Sequence, residues 1–242
     1  MAGEVHIGTS GWHYKGWVGL FYPEKLPAKD MFAFYARHFD TVEINNSFYH
    51  LPSAITFDSW HDNSPENFLF AVKASRFITH MKKLKAPETS SRKFFLGAER
   101  LGQKLGPILF QLPPRWRLNI ERLAEFLEAL PEGHRYVFEF RDESWLVQEV
   151  YDLLRKHNAA FCIHDLSAKQ TPLEITADFT YIRFHGPGEA RYSGSYSTPR
   201  LRKWAARIDE WRKDRLTIYA YFNNDIGGCA VRNARELMEL VT

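Results

Sequence analysis

Cysteine is scarce in this chain. Two occur among 242 residues, Cys162 within AAFCI and Cys229 within GGCAV. That is too few for a disulfide framework, and the spacing is not that of metal ligands. Both read as small buried hydrophobes. Long apolar runs are missing as well. No stretch approaches the roughly 18 apolar residues of a membrane span, and the N-terminus, MAGEVHIGTSGW, lacks the basic start and apolar run of a secretory signal. A cytoplasmic protein with no membrane partner is therefore expected.

Charge of one sign is also lacking. With 32 Lys and Arg against 29 Asp and Glu, the net charge is +3, so no global electrostatic argument points to nucleic acid or an anionic membrane. The densest basic run, Lys82, Lys83 and Lys85 followed by Arg92 and Lys93, reads as a solvated loop leading into a helix. No G-x-G-x-x-G follows the first strand, and no G-x-x-x-x-G-K-[ST] occurs anywhere. Neither a dinucleotide site nor a P-loop is indicated, and no cofactor is expected.

What the chain does contain is apolar and aromatic material, 45% and 15% of its residues, enough for a substantial core. Short apolar strands alternate with longer amphipathic segments, the pattern of parallel strands joined by crossover helices. The strand candidates are VHIG (5–8), TVEIN (41–45), FLFAVK (68–73), PILFQ (107–111), YVFEFR (136–141), AFCIHD (160–165), TYIRFH (180–185) and TIYAYFN (217–223). Helical spacing appears in AKDMFAFYARHF, in NIERLAEFLEAL, in SSRKFFLGAERLGQKLG starting at a serine, in LVQEVYDLLRKHN and in VRNARELMELV. The second and sixth connections are shorter, and SAKQTPLEIT after the sixth strand has room for no more than a turn of helix. Eight such units predict an α/β fold, a single (β/α)8 TIM-type barrel with a closed parallel sheet, over residues 1–242 as one domain. The absent glycine fingerprints count against the open doubly wound alternative.

Strand side chains alternate between two faces. If the apolar set faces the helices, the other parity faces the barrel interior, and its last members line the mouth at the C-terminal strand ends. That selects His6, Gly8 and Ser10 from strand one, Glu43 and Asn45 from strand two, Lys73 from strand three and Gln111 from strand four. Strand five supplies Glu139 and Arg141, strand seven Tyr181, Arg183 and His185, and strand eight Tyr219, Tyr221 and Asn223, followed by Asn224 and Asp225. Strand six offers either His164 or Asp165. An unpaired buried charge costs several kcal/mol, so these groups must pair with one another or with a ligand. An internal ion-pair layer that merely plugs the barrel is the competing reading.

Aromatics cluster on the loops after these strands. Trp12, Tyr14 and Trp17 follow strand one, Phe48 and Tyr49 strand two, and Trp145 strand five, a pattern suited to stacking on sugars or bases and equally to packing as core lids. The glycine- and proline-bearing segment HGPGEARYSGSYSTP reads either as a lid that brings Arg191, Tyr192 and Tyr196 to a ligand or as a plain surface loop.

The motifs GTSGWHYKGW, TVEINNSFYHLP, FQLPP, FEFRDESW and YFNND occur in this order from Gly8 to Asp225. Together they resemble the YecE-like family, domain of unknown function 72. The resemblance implies a bacterial or archaeal β/α barrel and brings no established activity. An analogy of that family with barrel endonucleases or sugar isomerases would set Glu43, Asn45, Glu139, Arg141, Asp165 and Asn223 near a site, as fold-level analogy only. Multi-metal phosphodiesterase sites need clustered histidines and carboxylates, whereas the inward set here is richer in Lys, Arg and amides, so no catalytic metal is expected.

The leading functional reading is an enzyme, of hydrolase or isomerase type, acting on a polyhydroxylated or phosphorylated small molecule. Glu43 and Glu139 would supply acid/base chemistry tuned by Arg141 and Lys73. Lys73 and Arg183 would hold an anionic group, and Trp12, Tyr14, Asn45, Gln111, Asp165, His185, Tyr196, Asn223 and Asn224 would complete the binding surface. A second reading is a nucleic-acid-binding or phosphodiester-processing protein, and a third is a non-catalytic ligand-binding protein.

Overall fold

A computed structural model describes residues 2–166, 169–190 and 192–241. The strands are β1 (Val5–Thr9), β2 (Thr41–Ile44), β3 (Leu69–Lys73), β4 (Leu105–Gln111), β5 (Tyr136–Glu139), β6 (Ala160–Leu166), β7 (Lys169–Gln170), β8 (Phe179–Phe184) and β9 (Thr217–Phe222). The α-helices are α1 (Met31–Tyr35), α2 (Asn46–Tyr49), α3 (Ala54–Asp62), α4 (Pro87–Ala98), α5 (Ile120–Glu128), α6 (Gln148–Lys156), α7 (Thr198–Lys213) and α8 (Cys229–Leu240). Along the sheet the order is β1-β9-β8-β6-β5-β4-β3-β2, with β7 attached to β6. Eight parallel strands alternating with helices in this order make the α/β, (β/α)8 TIM-type fold that the repeat pattern predicts. No described helix is long and apolar enough to cross a membrane.

Each expected strand forms within about two residues of its predicted span. Local chemistry explains the departures. The helix expected to begin at a serine instead begins at Pro87, whose fixed φ and missing N–H suit the first helical turn. It gives way at Gly102, with φ 53° and ψ −127°. After β6 the described residues hold no helix. Asp165 and Leu166 instead pair antiparallel with Gln170 and Lys169.

The chain divides into two compact units. The first comprises Met1–Glu43, Ile163–Leu173 and Phe179–Thr242. In it β1 and β9 run parallel in register from Val5↔Ile218 to Thr9↔Phe222, and β9 pairs with β8 from Thr217↔Phe179 to Phe222↔Phe184. One side of these strands is covered by Leu201, Trp204 and Ile208 of α7 and by Ala234 and Leu237 of α8, all buried. Gly8 permits the approach of β2, because a Cβ there would sit 2.5 Å from the Thr41 carbonyl oxygen. One step further along, Ser10 and Glu43 form a parallel bridge.

The second unit comprises Ile44–Cys162 and Glu174–Asp178. Here β4 pairs with β5 from Ile108↔Tyr136 to Gln111↔Glu139, and β3 pairs with β4 after a register shift between Phe70 and Val72. Phe110, Phe126 and Phe138 are buried together, with Phe110 and Phe138 stacked at 5.3 Å. The burial of each such side chain contributes about 1.5–3 kcal/mol. Asn119 caps α5 by accepting from the Arg122 amide at 2.9 Å, worth about 1 kcal/mol.

Candidate functional site

In the first unit the centre of charge is Glu43, which has no exposure. Its Oε1 accepts from Ser10 Oγ at 2.6 Å and from Arg183 Nη2 at 2.7 Å, and its Oε2 accepts from the Tyr181 hydroxyl at 2.6 Å. Burial pushes this carboxyl's pKa upward, but the Arg183 guanidinium and the three hydrogen bonds outweigh burial and hold it below the usual carboxylate range. A carboxylate so saturated is a weak base. Tyr181 is held well above its ordinary value by burial and by Glu43, so its phenol stays a donor. Around this ion, Thr41 Oγ1 and the Tyr221 hydroxyl lie 2.6 Å apart. Tyr14 donates to the Ser10 carbonyl at 2.5 Å, and burial raises its pKa too.

A second group in this unit contains histidines. The His164 and His185 rings meet edge to face at 5.8 Å, and Tyr192 lies 5.5 Å from His185. Asn223 Nδ2 is 3.2 Å from His185 Nδ1. An amide donating there makes Nδ1 the acceptor and puts the ring proton on Nε2. The ambiguity over strand six is resolved by position. His164 joins His185, whereas Asp165 turns to α7 and accepts from Arg200 Nη2 at 2.5 Å. Burial raises the Asp165 pKa against the opposing pull of Arg200.

Several residues expected to bind substrate serve as anchors. Tyr196 is 2% exposed, its hydroxyl accepts from the Gly186 amide at 3.0 Å, and its ring packs on Phe184. Asn233 accepts from the Tyr196 amide and donates to its carbonyl, at 3.0 and 3.1 Å. Asn224, fully buried, donates to the Gly194 carbonyl at 2.9 Å. The end of the expected lid is thereby tied down, while Glu189, Ala190 and Tyr192 before it are exposed. Arg191 lies outside the described residues. Trp12 tilts against Phe32 at 5.1 Å, a packing role.

In the second unit, four of the expected residues stand on three consecutively paired strands. Lys73 ends β3, Gln111 ends β4, and Glu139 ends β5 with Arg141 two residues on. Lys73 Nζ donates to Gln111 Oε1 at 2.7 Å and sits 4.4 Å from the centre of the Phe48 ring. Gln111 and Glu139 are register partners. Arg141 Nε forms an ion pair with Glu139 Oε1, the carboxylate being fully buried and the arginine side chain 10% exposed. Cys162 Sγ lies 3.9 Å from Glu139 Oε2. Asn45, half-buried, keeps a buried Oδ1 without a hydrogen-bond partner among the described residues.

Phe48, expected among the loop aromatics after strand two, stands in α2 and supplies the ring under Lys73. Sequence reasoning missed one neighbour of that ring. His80 lies edge to face with Phe48 at 4.9 Å. Burial, then Lys73 and Arg76, push its pKa down to about 4, so it is neutral at pH 7. No strand parity leads to His80, because it sits in an irregular helical turn at Phe77–Met81. Among the described residues no cluster of three or more His, Cys, Asp or Glu is arranged to hold a metal ion.

A family model described as "Protein of unknown function DUF72" matches residues 6–242. The chain is 27% identical over 269 residues to the UPF0759 protein YunF of Bacillus subtilis, covering 98% of this chain and 94% of that protein. A shorter match, 28% identical over 141 residues, relates 57% of this chain to 48% of the UPF0759 protein YecE of Escherichia coli K12. Among solved structures, a DUF72 family protein of Thermotoga maritima superposes with a TM-score of 0.87 at 30% identity, over 98% of each chain. One from Enterococcus faecalis shares the fold, with a TM-score of 0.83 at 18% identity over 98% of this chain and 95% of that one.

Proposed function

The chain belongs to the DUF72 family, and for this member of it we propose acid/base catalysis on a small, anionic, polyhydroxylated compound bound at the C-terminal ends of β3, β4 and β5. One observation carries the reading. Lys73, Gln111, Glu139 and Arg141 stand side by side on neighbouring strands, with Lys73 bonded to Gln111 and Arg141 paired to Glu139. Lys73 and Arg141 are cations suited to a phosphate or carboxylate, one as a point charge and one as a planar fork. Gln111 and Asn45 offer amides for hydroxyls. Glu139 is the proton carrier, positioned by Arg141.

Glu43 has a different part in this proposal. Its three donors and depressed pKa suit a fixed charge that orients Arg183 and Tyr181 rather than a group that trades protons.

The test is turnover. The purified protein is incubated with a panel of sugar phosphates and sugar acids, and products are followed by mass spectrometry. Glu139→Gln is expected to lower kcat at least about a hundredfold, the usual scale of a general acid or base, with little change in KM. Lys73→Met is expected to act mainly on KM. Turnover by Glu139→Gln at the wild-type rate overturns the assignment.

A further inference from the structure

The first ten residues of α7 carry a concentration of positive charge. Between residues 200 and 207 stand Arg200, Arg202, Lys203 and Arg207, and the first turn has no acidic residue. Backbone amides at a helix N-terminus carry partial positive charge, so cations are disfavoured there and anions favoured. Arg200 is compensated by Asp165 at 2.5 Å, and Arg207 by Glu210 at 3.1 Å. Lys203 forms no ion pair among the described residues.

These cations border a cavity of about 420 Å³, within the range of small-molecule sites. Arg200, Lys203 and Arg207 line it, and among the described residues no acidic side chain does. The remaining walls come from Gln170 and Leu173, which follow β6, and from Ser197, Pro199 and Trp204 of the helix and its start. Arg200 is preset. Its guanidinium lies over the Tyr196 ring at 5.3 Å and is bonded to Asp165, the register partner of Gln170. Trp204 is wedged edge to face against Phe184 at 5.1 Å, which makes it a rigid wall. The Ser197 side chain makes no capping bond, so its hydroxyl remains available as a donor.

We propose that this cavity binds a phosphorylated small molecule, with the phosphate between Lys203, Arg200 and Ser197 and an apolar or aromatic body against Leu173, Pro199 and Trp204. The phosphate supplies the negative charge that the helix start lacks. The Lys203 ammonium is a point charge suited to a phosphate oxygen, and Arg200 keeps guanidinium N–H groups beyond the one that Asp165 takes. The site lies wholly within the first unit and shares no residue with the chemistry proposed at β3–β5.

The experiment is isothermal titration calorimetry of the full chain with phenyl phosphate, with inorganic phosphate and phenol as the two halves of the probe. Phenyl phosphate is expected to bind more tightly than either half. Lys203→Gln should weaken it at least about tenfold, the scale of one charge-assisted contact, and Lys93→Gln, at an exposed lysine that belongs to neither site, should leave it unchanged. Equal affinity in wild type and Lys203→Gln, an equal loss on Lys93→Gln, or no heat at millimolar ligand overturns the proposal. The ligand-free Lys203→Gln protein is expected to melt at the wild-type temperature, because Lys203 is exposed and forms no ion pair among the described residues. A lower melting temperature would show that Lys203 serves the fold and would overturn it as well.

Discussion

Glu43 and Glu139 invite comparison because they are so alike on paper: each is a fully buried glutamate near the end of a strand, each with an arginine partner. Their surroundings differ. Arg183 has no exposure, and Glu43 is bonded also by Ser10 and Tyr181. The Arg141 side chain keeps 10% exposure, and beside its pair Lys73, 9% exposed, rests its ammonium on Gln111 and Phe48. The first arrangement is closed upon itself, and the second has cations within reach of a ligand. The same pair of residue types therefore serves as a structural ion in one unit and as a candidate reactive group in the other.

The sharpest way to break this comparison is to remove the arginines in turn. Arg183→Met leaves Glu43 buried without its countercharge, and a stability loss of about 3–5 kcal/mol is expected by urea unfolding. Arg141→Met is expected to cost less than half as much, because water can reach the site. Equal losses would erase the distinction.

A smaller effect should appear in acid. The Glu43 pKa is depressed in the folded protein, so its contribution to stability is complete above the ordinary glutamate value of about 4.3 and is lost as pH falls from there through the depressed value. The melting temperature of the wild type should drop over that window, and the drop should be shallower in Glu43→Gln. A parallel drop in both proteins would show that Glu43 is not the group responsible.

The smallest effect is expected at Lys73. Its ammonium rests on the Gln111 amide and the Phe48 ring, neither of them a charged partner, so Lys73→Met should change stability by no more than about 1 kcal/mol. A loss as large as that of Arg183→Met would make Lys73 a structural ion like Glu43.

Much of this was legible beforehand. Strand alternation turned Glu43 and Arg183, which the structure joins within one unit, to the same parity, and likewise Lys73, Gln111 and Glu139, whose strands pair in the other, because alternation follows from the covalent geometry of an extended chain. Alternation could not rank them. It treated Glu43 and Glu139 as equals, since the number of donors around a carboxylate depends on residues far away in the chain. Tyr196 and Asn224 looked like ligand contacts because polar residues in a glycine-bearing loop often are, and only their bonds to Gly186, Gly194 and Asn233 reveal them as anchors. Arg200 and His80 had no periodic signal pointing to a site at all.

By itself, then, the sequence determined what near-neighbour geometry controls: the eight strand units, the parity of every strand but the sixth, and the helix start at Asn119. Tertiary structure decided the partnerships. Arg183 reaches Glu43 across 140 positions of chain, and Asp165 turns away from His164 to meet a helix arginine. Such pairings are set by which strands become neighbours in the sheet, and that is fixed by the packing of the whole chain.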